Sequence, residues 1–172
     1  VNPDCAVYDV EGGAYHMWRK NRRHNADGTY GVDLNRNYDA RWGQGGSSED
    51  GDCEGYMGPA PFSEPETQAV RDFLLARHNV TTLLSYHTFS KLVLYPWGGS
   101  YDEVANLRDR NAFSKMAGDM ARMNGYTPEK SSDLYIATGD TCDWAYEKLH
   151  IFAFTFELDP SSIMEGGFYP GQ

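Results

Sequence analysis

The stretch that most constrains this chain is Ile151-Phe152-Ala153-Phe154-Thr155-Phe156, six largely aromatic and aliphatic residues that run straight into Glu157. So short and apolar a run reads as a buried strand, which demands other layers of structure packed against it. An ionised carboxylate at the end of such a strand is costly unless it is paired or metal-linked. Its pKa can be driven toward neutrality, the range a general base working near pH 7 requires. The alternative is a strand-end glutamate turned into solvent.

The rest of the chain supplies the layers. Thr81 to Tyr86 reads as a second buried strand and Lys91 to Tyr95 as a third. Ser63, with Glu66 three residues on, forms a capping box ahead of a helix whose apolar face is Ala69, Val70, Phe73 and Leu74. A longer helix from about Glu103 to Asn124 repeats Phe113, Met116, Ala117 and Met120 at helical spacing, and Asn124-Gly125 stops it. A shorter helix covers Asp140 to Leu149. Residues 1–61 are rich in Gly, Asn, Asp and Arg and read mainly as loop. Helices alternating with apolar strands give an α/β layered fold with sites at strand ends. Over 172 residues no repeat or linker appears, so the expectation is a single domain.

With 25 acidic and 15 basic residues, the net charge of -10 argues against a nucleic-acid partner. Against that background residues 16–24 (His-Met-Trp-Arg-Lys-Asn-Arg-Arg-His) are strongly basic, either a solvated loop or a set of cations waiting for an anion. No stretch approaches the roughly 18 apolar residues of a membrane span. Three cysteines are too few for a disulfide framework or a Cys-based zinc site, although a Cys5–Cys53 pair is open. The opening Val1-Asn2-Pro3-Asp4 starts as if in mid-chain.

Several side chains could carry chemistry. His87 follows the apolar strand Leu83-Leu84-Ser85-Tyr86, as either a hydrogen-bonded core histidine or a ligand. Arg19 and Arg36 are planar donors suited to carboxylate or polarised carbonyl oxygens, and Asn35 adds an amide donor. Asp33-x-Asn35-x-Asn37 opens like a calcium loop, but Tyr38 and Gln44 stand where that loop needs Gly and Glu.

Taken in order, Trp-Arg-Lys-Asn-Arg, Gly-Val-Asp-Leu-Asn-Arg-Asn, Ser-Tyr-His-Thr-Phe-Ser, Leu-Tyr-Pro-Trp-Gly, Asp-Trp-Ala-Tyr and Phe-Thr-Phe-Glu-Leu resemble the zinc metallocarboxypeptidases of the carboxypeptidase A/B type. Ser-Asp-Leu-Tyr-Ile and the terminal Gly-Phe-Tyr-Pro are most similar to the bacterial carboxypeptidase T-like branch. The resemblance covers nearly the whole chain. It implies the C-terminal part of a mixed-sheet, carboxypeptidase-like α/β/α domain, with the N-terminal portion of the domain absent.

By the same resemblance, Glu157 is the general base and Arg19 polarises the scissile carbonyl. Asn35, Arg36 and Tyr135 clamp the substrate's terminal carboxylate. Asp140 and Cys142, five and seven residues after Tyr135, floor the pocket for the last side chain and suggest mixed basic and apolar preference; Asp140 equally reads as a helix N-cap. His87 is implied as the third ligand of a Zn2+ cofactor. The family's first two ligands come from a His-x-x-Glu motif, and none of the five histidines here begins one. The expectation is a partial catalytic domain, inactive alone, whose other ligands lie upstream, and which needs its missing part to cover a sheet edge and an apolar face. Cys5 stands where the family has Gly. The implied partners are peptide or protein C-termini, with no nucleic acid and no membrane, in a secreted protein. The rival readings are a non-catalytic domain that binds C-terminal carboxylates and a cell-wall peptide carboxypeptidase.

Overall fold

The computed structural model describes residues 2–13 and 15–169; Val1 of the opening segment and Pro170 of Gly-Phe-Tyr-Pro lie outside them. The elements follow the order α1 Pro3–Asp9, α2 Pro65–Leu75, β1 Thr82–Thr88, β2 Leu92–Tyr95, α3 Leu107–Asn124, β3 Thr127–Lys130, α4 Ser131–Leu134, α5 Thr141–Leu149 and β4 Phe152–Leu158. The strands form one sheet in the order β1-β4-β2-β3. β4 runs parallel to β1 and antiparallel to β2, and β2 runs parallel to β3. The α/β class and the mixed sheet are those the sequence implies.

The apolar β4 sits inside the sheet and feeds two cores because its side chains alternate between faces. Phe154 and Phe156 pack on one face with Val93, Phe113, Ala117 and Ala121, the last three from α3. Ala153 faces the opposite way and joins Leu74, Trp144, Ala145 and Ile151. The second face continues through Thr155 and Glu157 toward the site.

Several elements depart from the sequence reading. The Ser63/Glu66 capping box does not form: Pro65, with its fixed φ, takes the first helical turn, and the N-cap is Glu64, which makes no side-chain cap. Ser63 Oγ instead donates to Glu64 Oε1 at 2.6 Å, and that carboxylate pairs with Arg23. On α2 the buried stripe is Thr67 and Leu74, while Phe73 is exposed under the Arg77 guanidinium. α3 begins at Leu107 rather than near Glu103 because Asn106 accepts hydrogen bonds from the amides of Arg108 and Asp109; Gly125 ends it in the left-handed region as expected. α1, the Pro-containing β3 and α4 are additions to the sequence reading. No disulfide joins Cys5 to Cys53; both are free, and Cys5 Sγ donates to the Trp18 carbonyl at 2.6 Å.

The basic segment is mostly spent internally. Lys20 is buried and donates to Gly51 O, Arg23 pairs with Glu64, and Arg22 lies against the rings of Tyr8, Trp18 and Tyr30. β1, read as a buried strand, is an edge strand with Leu84 and Tyr86 exposed on the face that carries Phe156. An exposed sheet edge bearing apolar side chains is therefore present, as the sequence implied.

Phe154 is fully buried and meets Phe113 edge-on with ring centroids 5.4 Å apart. Phe154→Ala in the full-length protein should cost about 3–5 kcal/mol, read as a lowered urea midpoint at unchanged slope.

Candidate active site

Strand register builds the centre of the site. The parallel pairing of β1 with β4 sets His87 beside Glu157 and Ser85 beside Thr155, all on one face at the carboxyl ends of both strands. A cavity of about 270 Å³ opens over His87, Glu157 and Thr155, and Arg19, Asn35, Arg36, Tyr135 and Asp140 also line it. Seven of the eight residues singled out from sequence thus converge. The eighth, Cys142, is buried in the core and does not line the cavity; Thr155 does, with its Oγ1 3.3 Å from Cys142 Sγ.

Glu157 is 9% exposed. Burial pushes its pKa up to about 7, and the nearby Arg19 works in the opposite direction. Burial, reinforced by Arg19, brings His87 down to about 4, so its ring is neutral near pH 7. His87 Nε2 lies 3.0 Å from Ser85 Oγ, and which atom donates depends on the tautomer. If Nε2–H donates to Ser85, Nδ1 keeps its lone pair, the form that ligates a metal.

Arg36 is brought to the cavity by the turn Leu34–Arg36, which Asp33 caps by accepting from the Asn35 amide at 3.0 Å. Gly139, at φ 73°, lets the 135–140 loop close over this turn; a Cβ there would collide with the Arg36 carbonyl. Arg36 is 7% exposed and donates to Asn35 O at 2.7 Å, while Tyr135 places its ring 5.7 Å from the guanidinium. Among the described residues no carboxylate forms a salt bridge with it. A buried, unpaired cation is unfavourable until an anion arrives. Asn35 Oδ1 accepts from the backbone N and Oγ1 of Thr141, which leaves its Nδ2–H donors for a ligand.

Arg19 is held differently, 2.8 Å from Asp33 Oδ2. That oxygen is buried and has no hydrogen-bond donor in line with it. Asp140 caps α5 with Oδ1, which accepts from the amides of Cys142 and Asp143, so Oδ2 is the oxygen left toward the cavity.

The residues present fit part of a metal centre. His87 offers one neutral nitrogen, but among the described residues no group of three His, Cys, Asp or Glu side chains could hold an ion. A catalytic zinc takes about three protein ligands.

The sequence alone does not single out Ser85, Phe89 or Phe168 for the site, and it offers Asp33 only as the start of a calcium-like loop that Tyr38 and Gln44 rule out. Ser85 was findable, since two residues before His87 on a strand means the same face. Asp33 sat inside a quoted motif, two residues before Asn35. Phe89 and Phe168 meet edge-on with centroids 5.0 Å apart at the cavity wall, a contact across 79 residues that no local pattern signals.

The family model described as zinc carboxypeptidase matches residues 1–172. The chain is 38% identical to carboxypeptidase A5 of Macaca fascicularis over 92% of its own length and 37% of that protein. It is 36% identical to a zinc carboxypeptidase of Saccharothrix mutabilis subsp. capreolus over 99% of its length and 41% of that protein. It thus spans about two-fifths of these curated relatives. Bovine thrombin-activatable fibrinolysis inhibitor, solved in complex with tick carboxypeptidase inhibitor, superposes with TM-score 0.86 at 32% identity, covering 97% of this chain and 58% of that one. A cavity joining a histidine, a raised glutamate and an unpaired arginine, and a family match over its whole length, place this chain in the zinc carboxypeptidase family.

Proposed function

We propose that the full-length protein is a zinc-dependent metallocarboxypeptidase that hydrolyses the C-terminal peptide bond of peptides and proteins. The observation that carries this reading is Arg36, a buried cation with no salt bridge among the described residues, in the cavity that also holds Glu157 and His87. The terminal carboxylate of the substrate supplies the missing anion, Asn35 Nδ2 donates to it, and Tyr135 closes over it. An internal peptide has no carboxylate to offer and leaves Arg36 unpaired, which favours exopeptidase action.

Arg19, steadied by Asp33, polarises the scissile carbonyl and stabilises the negative charge that develops on its oxygen. Glu157 accepts the proton of the attacking water and returns it to the leaving amine; burial keeps its pKa close enough to neutrality for both transfers. His87 holds one position on zinc, and the other two protein ligands come from outside this chain. When bound, zinc acts as a Lewis acid and lowers the pKa of water to about 7. The chain by itself is then a partial catalytic domain without activity.

The last side chain of the substrate reaches Asp140, with Thr155 and Leu94 on the walls, and this pairing of an acid with apolar surface supports mixed basic and apolar preference. The similarity to the Saccharothrix enzyme and the Ser-Asp-Leu-Tyr-Ile motif support a bacterial carboxypeptidase T-like placement. Secretion belongs to the same proposal. The single metal ligand favours one rival, a domain that only binds C-terminal carboxylates, and hydrolysis separates the two.

Four outcomes test the reading. A chelator should abolish peptide hydrolysis by the full-length protein, and added zinc should restore it. Glu157→Gln should lower kcat about 10²–10⁴-fold while peptide binding persists; full activity in that variant would exclude Glu157 as the base. Because Glu157 works only when ionised, kcat/KM should fall on the acid side of about pH 7, close to tenfold per pH unit. Finally, the chain alone, with Leu84 and Tyr86 bare beside an unpaired strand edge, should self-associate in sedimentation experiments; a stable, cooperative monomer would contradict the proposed dependence on the rest of the domain.

A further inference from the structure

Two buried carboxylates flank Gly98 beneath the cavity. Asp143, 2% exposed, accepts from the Gly98 amide at 2.9 and 3.1 Å and from the Gly99 amide at 2.9 Å. Asp140, 8% exposed, approaches the same glycine from the cavity side, its Oδ2 2.8 Å from where a Gly98 Cβ would lie. The cations facing the pair are few. Arg41 Nη1 is 3.8 Å from Asp143 Oδ2, outside hydrogen-bond range, and its guanidinium rests on Trp97. Arg36 acts on Asp140, but in the function proposed above it is taken by the substrate's terminal carboxylate. Tyr38 and Cys142 also face Asp140, and burial holds both hydroxyl and thiol in their neutral forms. Arg19, His87 and Glu157 line the cavity but serve the reacting bond.

Once a substrate occupies Arg36, two carboxylates therefore share one distant cation. Burial raises the proton affinity of both, and the charge of Asp140 raises that of Asp143 further. Each carboxylate accepts from two backbone amides, so the cations decide: Arg41 lies 3.8 Å from Asp143 Oδ2 while the substrate takes Arg36 from Asp140, which leaves the shared proton on Asp140 Oδ2, the oxygen turned to the cavity.

We propose that Asp143 is a specificity-determining residue that acts through Asp140: the two share one proton across Gly98, so the pocket floor is neutral at low pH and anionic at high pH. C-terminal Phe or Leu is accepted throughout, whereas C-terminal Arg or Lys is accepted only as the shared proton leaves. Asp143 touches no substrate; it is a positioning residue for charge. This inference rests on the carboxypeptidase reading and on Asp140 meeting the last side chain.

The test compares matched peptides ending in Arg and in Phe, using the zinc-loaded full-length protein between pH 5 and pH 9. The ratio of their kcat/KM values cancels the titration of Glu157. It should climb by up to about tenfold per pH unit and then level off. Asp143→Asn should make the ratio high and flat to lower pH, because Asp140 then ionises alone; Asp140→Asn should hold it at its low-pH value. A separate measurement does not depend on how these variants fold. Calorimetric binding of free arginine, in two buffers of different ionisation enthalpy, should release about one proton on the acid side of the transition, and free phenylalanine none. A ratio flat with pH in the unaltered protein, or arginine binding without proton release or not binding at all, would overturn the proposal. If neither peptide is cleaved the carboxypeptidase reading fails, and the calorimetry still decides whether the pair shares a proton.

Discussion

The parallel pairing of β1 with β4 is the constraint on which the rest of this structure depends. Side chains alternate along a strand, so a slip of one residue would carry His87 to the opposite face from Glu157. The register is fixed from both sides. Phe154 and Phe156 are locked against α3 on one face, and Ala153 is locked beneath Trp144 and Ile151 on the other. Neither face can shift without exposing aromatic surface worth about 1.5–3 kcal/mol per side chain. The hydrophobic core thus places a histidine and a glutamate side by side with no direct bond between them.

Long, strongly patterned elements were legible in the amino-acid sequence, and so was the cluster of polar groups at their ends. β4, α3 and α5 follow from runs of apolar residues and clear stop or cap signals such as Asn124-Gly125 and Asp140. What escaped was decided by tertiary competition. Glu64 could not be seen as a buried partner of Arg23, because the two are 41 positions apart and the local pattern offered a capping box instead. β1 looked buried because Leu83, Leu84 and Tyr86 are apolar; periodicity reports which residues can be covered, whereas coverage depends on which elements are there to do it. The resemblance to a family located the site residues but not their burial. It placed Cys142 at the pocket floor, where the structure turns Thr155 to the cavity and Cys142 to the core.

The first sixty residues, poor in regular structure, act as a charge-organising layer. Their cations would repel one another and resist desolvation if left alone. Lys20 is satisfied by a carbonyl, Arg22 by three aromatic rings, Arg23 by Glu64 and Arg19 by Asp33. Arg36 is treated differently: buried as deeply as a core residue, it receives only one backbone carbonyl and the edge of Tyr135's influence. This layer thus neutralises its other arginines and, among the described residues, leaves Arg36 without a salt bridge, the arrangement from which the proposed anion site follows.

Asp33 links that layer to the proton chemistry. A bare guanidinium about 6 Å from a carboxylate, at an effective dielectric of about 20, is worth about 3 kcal/mol, or about two pKa units. Arg19 opposes burial at Glu157 in this sense, and burial prevails: the carboxyl is pushed up to about 7 with the arginine nearby. Asp33, 2.8 Å from the guanidinium, holds Arg19 at the cavity in a fixed place. In the proposed reaction the arginine would act on a carbonyl oxygen that gains charge only as the reaction proceeds, so its weak pull on the resting carboxyl does not limit that role. Deep burial of the glutamate, and an aspartate two residues before Asn35 that anchors the arginine, thereby let a carboxyl with a raised pKa and a guanidinium line a single cavity.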